Sequence, residues 1–114
     1  MSNPAIQNLS PAVSVCAQLE PSAMAWAAAQ GFKSVINNRP DFEAGPDQPT
    51  SDAMAEAAAL AGLEYRFLPV AGGYQSPQEI EAFAGLLAEM PAPLLAFCRS
   101  GARSAKLFAA AQNL

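Results

Sequence analysis

Six residues carry the reactive chemistry of this chain: Cys98-Arg99-Ser100-Gly101-Ala102-Arg103, followed by Ser104. A cysteine and an arginine stand at the two ends with four residues between them, one of them a glycine. The apolar run Leu94-Leu95-Ala96-Phe97 leads in, and the helix-forming run Ala105-Lys106-Leu107-Phe108-Ala109-Ala110-Ala111 leads out. A strand turning through a tight loop into a helix points the loop's N–H groups inward, at the positive end of the helix dipole. That arrangement binds anions. Helix N-termini and nearby cations lower a thiol's pKa to roughly 3.5–7.5. Cys98 is therefore expected to be a thiolate nucleophile in an anion-binding loop. Arg103 serves either as a bidentate anion ligand or as a clamp that orders the loop. Arg99 either steers anions at the mouth or is a solvated charge. Gly101 permits a backbone shape or a close anion approach that a side chain would block. Ala102 contributes its backbone to the cradle. Ser100 and Ser104 either donate hydroxyl hydrogen bonds to the anion or cap the helix.

The elements that must hold this loop follow from the order of the chain. Ala5–Leu9 and Val13–Cys16 read as short outer strands. An alanine-rich helix over Ser22–Gln30 comes next, with Trp26 as packing and Gly31 as its terminator. Phe32–Asn37 reads as a strand, and a loop rich in proline runs from Asn38 to Pro49. A second helix spans Asp52–Ala61, capped by Thr50 or Ser51, and a strand follows over Leu63–Val70. Ser76-Pro77-Gln78-Glu79 is a capping box with proline in the first helical position. Ile80, Phe83, Ala84 and Leu87 give that third helix one apolar face. The alternation of strands and helices predicts an α/β domain with a parallel-rich central sheet of four to five strands flanked by helices. In such sheets ligands sit outside the carboxyl ends of the strands. That places three loops on one edge: Asn37–Asp41, Ala71–Gln75 and Cys98–Arg103. On this reading Arg39 helps bind substrate and Asp41 substitutes as an acid, or the two pair and order the proline-rich loop. Tyr74 is a weaker pocket candidate.

The composition excludes several classes. The 114 residues fit one domain, residues 1–114, with 52% hydrophobic and 14% charged residues. A net charge of −4 disfavours nucleic acid or an anionic membrane as partner. No apolar run is long enough to span a bilayer, and Met1-Ser2-Asn3-Pro4 lacks signal-peptide character, so a cytoplasmic location is expected. Two cysteines are too few for a structural zinc site, and the expectation is no cofactor and no metal. The chain has no histidine, which removes Cys-His and Ser-His-Asp catalysis. Cys16 reads as a small buried hydrophobe, with a resolving thiol for Cys98 as the alternative.

The loop resembles those of two enzyme groups. Its six-residue span, beginning Cys-Arg-Ser-Gly, resembles the loop of rhodanese-type sulfurtransferases. Arg103 followed by Ser104 resembles the ending of the protein tyrosine phosphatase loop. Taken over Leu9–Phe108, the chain is similar to a small bacterial family, the phosphatase-like domain of beta-lactamase hydrolase-like proteins. That family occurs alone or fused to β-lactamase-like persulfide dioxygenases. The residues that carry the similarity are Val35-Ile36-Asn37-Asn38-Arg39-Pro40-Asp41, Gln48-Pro49, Pro69-Val70 and Cys98 to Ser104. The resemblance implies a cysteine-phosphatase fold of the dual-specificity type and a sulfurtransferase or phosphatase-like activity. It also implies a persulfide dioxygenase as a partner.

Two departures from the phosphatase pattern bear on the reaction. Phe97 stands where phosphatases carry histidine. Ala71-Gly72-Gly73-Tyr74 holds no carboxylate where they keep the aspartate that protonates the leaving group. General acid help is commonly worth about 10²–10⁴-fold. Sulfur transfer needs neither residue. The sequence expectation is therefore a sulfurtransferase that takes sulfane sulfur from a small anionic donor, thiosulfate or a persulfide. Sulfur would pass through a Cys98 persulfide to a thiol acceptor. The alternatives are a cysteine-dependent phosphatase acting through phosphocysteine, and a non-catalytic module that binds an anion or a partner.

Overall fold

The computed structural model describes residues 3–114, so Met1 and Ser2, part of the stretch read as lacking signal-peptide character, lie outside the described residues. Five strands form one sheet in the order β1-β2-β5-β3-β4. They are β1 (Gln7–Asn8), β2 (Val13–Cys16), β3 (Ser34–Asn37), β4 (Glu64–Phe67) and β5 (Leu94–Phe97). Only β1 runs antiparallel, against β2; the β2–β5, β5–β3 and β3–β4 pairs are parallel. Four helices complete the chain: α1 (Ala23–Ala29), α2 (Ser51–Leu60), α3 (Pro77–Glu89) and α4 (Ala102–Ala111). This is the α/β architecture expected from the sequence.

The path of the chain explains why the cysteine strand is central. From β2 the chain passes through α1 to β3, leaving a gap, and through α2 to β4 at the edge. It then returns through α3 to place β5 in the gap between β2 and β3. Right-handed crossovers require that reversal of direction to put the later helices on the opposite face. Two apolar layers result. Met24 and Ala27 of α1 and Met54 and Ala58 of α2 pack with Cys16, Val35, Leu95 and Phe97. Phe83 of α3 and Leu107 of α4 pack with Val15, Ile36, Leu94 and Ala96 on the other side. A strand covered on both faces needs an uninterrupted apolar run, and Leu94-Leu95-Ala96-Phe97 is one. Each large side chain buried there contributes roughly 1.5–3 kcal/mol.

Two expectations change. β2 is not an outer strand: it is paired on both sides, and the exposed two-residue β1 is the edge. Two serines and small residues in Ser10–Ser14 hid its burial from the sequence pattern. The last helix also begins at Ala102, three residues before its apolar run, because Gly101 at φ 95° serves as its N-cap. Arg103 and Ser104 are thus in its first turn. The helix starts that depend on side-chain caps appear where the sequence puts them. Ser76 Oγ accepts from the Glu79 amide while Glu79 Oε1 accepts from the Ser76 amide, and Thr50 Oγ1 accepts from the Ala53 amide.

Candidate functional site

At the carboxyl end of β5 the strand stops and the chain turns around its own sulfur. The Gly101 amide donates to Cys98 Sγ at 3.1 Å. Gly101 is needed there twice over. Its φ of 95° is left-handed, and a Cβ would lie 3.2 Å from the carbonyl carbon of Cys16 on the neighbouring strand. The Gln18 amide donates to the Arg99 carbonyl, which fixes the other side of the turn to the end of β2. Burial pushes the Cys98 thiol up. The backbone and hydroxyl of Ser104 and the amides of Gly101 and Ser100 outweigh that push and bring it below the ordinary thiol value. Cys16 behaves oppositely. It is packed in the α1–α2 layer, and burial, with a smaller contribution from the Cys98 charge, pushes its thiol up to about 12.

Beneath the loop lies a residue that sequence reasoning did not single out. Asn38, fully buried, follows β3 and bonds in three directions. Its amide donates to the Phe97 carbonyl at 2.8 Å, its Nδ2 donates to the Leu68 carbonyl at 3.0 Å, and its Oδ1 accepts from Ser104 Oγ at 2.9 Å. One residue, through its backbone amide and its side chain, thus ties β5, the end of β4 and α4 together. The Ser104 hydroxyl has one hydrogen, so donation to Asn38 and donation to Sγ are alternative orientations. Ser100 Oγ accepts from the Ala102 amide at 3.3 Å, just ahead of the N-cap Gly101.

Arg103 is held from three sides. Its Nη1 donates to the Val70 carbonyl at 3.0 Å and its Nη2 to Glu43 Oε1 at 3.1 Å, while its own carbonyl accepts from Gln75 Nε2. Gly72 lies flat against the guanidinium: a Cβ there would be 3.3 Å from Nη2. A guanidinium has five N–H donors, so these bonds leave others for an anion.

Glu43 was also missed, and it reorders the reading of the proline-rich loop. The same Oε1 accepts from Arg39 Nε at 2.9 Å and from Arg103 Nη2. Burial pushes this carboxyl up, but the hydrogen bonds and charges of Arg103 and Arg39 together outweigh it and hold the group below the ordinary glutamate range. Glu43 is therefore ionised at neutral pH. Its pairing with Arg39 at i, i+4 was visible in the sequence; its link to Arg103, sixty residues on, was not.

A cavity of about 240 Å³ opens over the sulfur, lined by Gly72, Gln75, Cys98, Arg99, Ser100, Ala102, Arg103 and Lys106. Arg39 and Asp41 are not in that lining. Arg39 is buried and spends its guanidinium on Glu43 and on Gln18 Oε1. Asp41 Oδ1 accepts from the Ser51 amide at 2.7 Å, at the start of α2. Both bond within and beside the proline-rich loop, but they do not pair with each other, and Asp41 is bonded to a helix end outside the cavity lining. Tyr74, 68% exposed, is outside the lining as well. Lys106 is inside it and was read only as a helix former; its i, i+3 spacing from Arg103 was the available signal. Among the described residues no group of His, Cys, Asp and Glu is placed to hold a metal ion, and no helix is long and apolar enough to cross a membrane.

Comparison with known proteins adds the following. A beta-lactamase hydrolase-like protein of Agrobacterium fabrum is 42% identical over 86 residues, which is 75% of this chain and 20% of that protein. One from Xylella fastidiosa is 43% identical over 82 residues, 72% of this chain and 19% of that protein. The alignments thus span about a fifth of the length of these curated relatives. Among solved structures, a candidate phosphatase from Neisseria meningitidis superposes with a TM-score of 0.79 at 28% identity, covering 90% of this chain and 72% of that one. The catalytic domain of the Saccharomyces cerevisiae PP-IP phosphatase SIW14, solved with citrate, gives 0.70 at 13% identity over 93% of this chain and 64% of that one, a likeness of fold. The model of the family "Beta-lactamase hydrolase-like protein, phosphatase-like domain" matches residues 5–114, and the chain belongs to that family.

Proposed function

We propose that this domain is a cysteine-dependent phosphatase that works through a phosphocysteine at Cys98. The observation that carries the reading is the Cys98 sulfur, with its lowered pKa, held by loop amides at the floor of a cationic cavity. The phosphatase neighbours, including the Neisseria protein at 28% identity, favour this alternative over the sulfur transfer expected from the sequence. The thiolate attacks phosphorus; an S–P bond forms as the P–O bond to the leaving group breaks, and that oxygen departs with the bonding pair. Arg103 and the loop amides carry the charge on the phosphoryl oxygens. Water then attacks phosphorus, the S–P bond breaks, and phosphate and thiolate are released. No carboxylate lines the cavity among the described residues, and Glu43, ionised between two guanidiniums, has no proton to give. Weakly basic leaving groups are therefore the suitable ones.

The test is hydrolysis of 4-nitrophenyl phosphate, with the phosphoenzyme trapped by acid quench and found by intact mass. The expected result is turnover that falls by at least about 10³-fold in Cys98→Ser. Turnover that survives that substitution would reject the reading.

The missing carboxyl acid also favours a second reading, sulfur transfer. The thiolate attacks the outer sulfur of thiosulfate, sulfite leaves unprotonated, and the Cys98 persulfide passes its sulfur to a thiol. A persulfide dioxygenase is the partner this reading supplies. One added sulfur on the intact protein after thiosulfate, absent in Cys98→Ser, supports it; no adduct excludes it.

A further inference from the structure

Three of the chain's six cationic side chains, Arg99, Arg103 and Lys106, line one cavity with no carboxylate among the lining residues, in a protein of net charge −4. The three are not equivalent. Arg103 shares its charge with Glu43, as Arg39 does from the other side. Arg99 and Lys106 make no ion pair among the described residues, and both are exposed at the rim. The loop amides and Arg103 already suffice for the transferred phosphoryl group, so two unneutralised cations remain beside it. The same cavity has no carboxyl group to protonate the leaving group. One substrate property answers both facts: a leaving group that carries its own negative charge and needs no proton.

Resting on the phosphatase reading above, we infer that the substrate class is a phosphoanhydride, with Arg99 and Lys106 holding the leaving phosphate. A phosphate monoester released from an anhydride has a second pKa of about 6, far below that of an alcohol, so it departs unprotonated by the protein. In the reaction Cys98 Sγ bonds to the terminal phosphorus and the bridging P–O bond breaks. The bridging oxygen keeps the electron pair and leaves as part of the second phosphate, between Arg99 and Lys106. Water then cleaves the S–P bond and releases the terminal phosphate. The leaving group's charge increases as the anhydride breaks, so the two cations act more strongly on the transition state than on the bound substrate.

The experiment compares kcat/KM for inorganic pyrophosphate and for 4-nitrophenyl phosphate, whose leaving group is weakly basic but lacks a second anionic group. Glycerol 2-phosphate supplies a strongly basic leaving group. We expect pyrophosphate to exceed 4-nitrophenyl phosphate by about tenfold, glycerol phosphate to be slowest, and every rate to depend on Cys98. The ratio of the first two rates should fall about tenfold in Lys106→Glu and in Arg99→Glu and return in Lys106→Arg. Lys106 and Arg99 are exposed, and a ratio of rates is insensitive to partial unfolding. If 4-nitrophenyl phosphate is hydrolysed through Cys98 but the ratio is near one, or unmoved by both charge reversals, the anhydride inference fails and the phosphatase reading stands. If neither probe is hydrolysed through Cys98, both fail.

Discussion

Two loops leave the same edge of the sheet from adjacent strands, and the sequence gives each of them arginine. In the loop after β3, Arg39 pairs with Glu43, Asp41 caps α2, and Gln48 bonds the Pro40 carbonyl and the Ala44 amide. These polar groups find their partners within the fold. In the loop after β5, the amides turn inward on a sulfur, and Arg99 and the nearby Lys106 are left without carboxylates. The first loop is a brace and the second is a receptor. What separates them is whether the charges are already neutralised within the fold, and Glu43 is where the brace touches the receptor, through Arg103.

The comparison can be broken at its receptor side first. Arg103→Lys keeps the charge but removes the planar fork that reaches Val70, Glu43 and an anion together. It should lower kcat/KM on an aryl phosphate by about 10²–10³-fold with little loss of stability, read by steady-state kinetics and thermal unfolding. Glu43→Gln cuts the contact between the loops. We expect a loss of about tenfold in kcat/KM, since Arg103 loses one of its positioning bonds. A stability loss of about 1–3 kcal/mol should accompany it, because the buried Arg39 loses its counter-charge. The pH dependence has a definite sign. A carboxyl with a lowered folded pKa adds stability that is full above its ordinary value of 4.5 and is lost as pH falls through the lowered value. Wild type and Glu43→Gln should therefore converge in stability on acidification below 4.5. Urea titrations across that range check this.

The smallest effect on catalysis belongs to the brace. Asp41→Ala should cost about 1 kcal/mol through the lost bond to the start of α2 and change kcat/KM by less than about twofold. A loss of activity comparable to that of Arg103→Lys would return Asp41 to the site.

The limits of sequence reading follow the same division. Local patterns were legible: the Cys98–Arg103 spacing, the Ser76–Glu79 capping box, the apolar run of β5 and the alternation that gives the sheet. Each depends on neighbours within a few residues. What depends on distant partners was not. Asn38 matters because β4, β5 and α4 meet on it, and Glu43 because Arg103 comes to it from sixty residues away. Asp41 looked like an acid only while its partner, the Ser51 amide, was unknown. Lys106 was hidden by its helix-forming surroundings, and the inward place of β2 by Ser14 within it and Ser10 before it. Polar residues near a strand end state their chemistry in the sequence but not their partners, and the partners decide the role.

The central claim is that the loop keeps the Cys98 sulfur ionised more readily than an ordinary thiol. The direct measurement is the rate of alkylation by iodoacetate against pH, with each cysteine assigned by peptide mass. Cys16, buried and pushed up to about 12, serves as the internal reference and should stay unmodified across the range. The account predicts that Cys98 alkylates with an inflection below 9.0, the reference for an ordinary cysteine. An inflection at or above that value would contradict it.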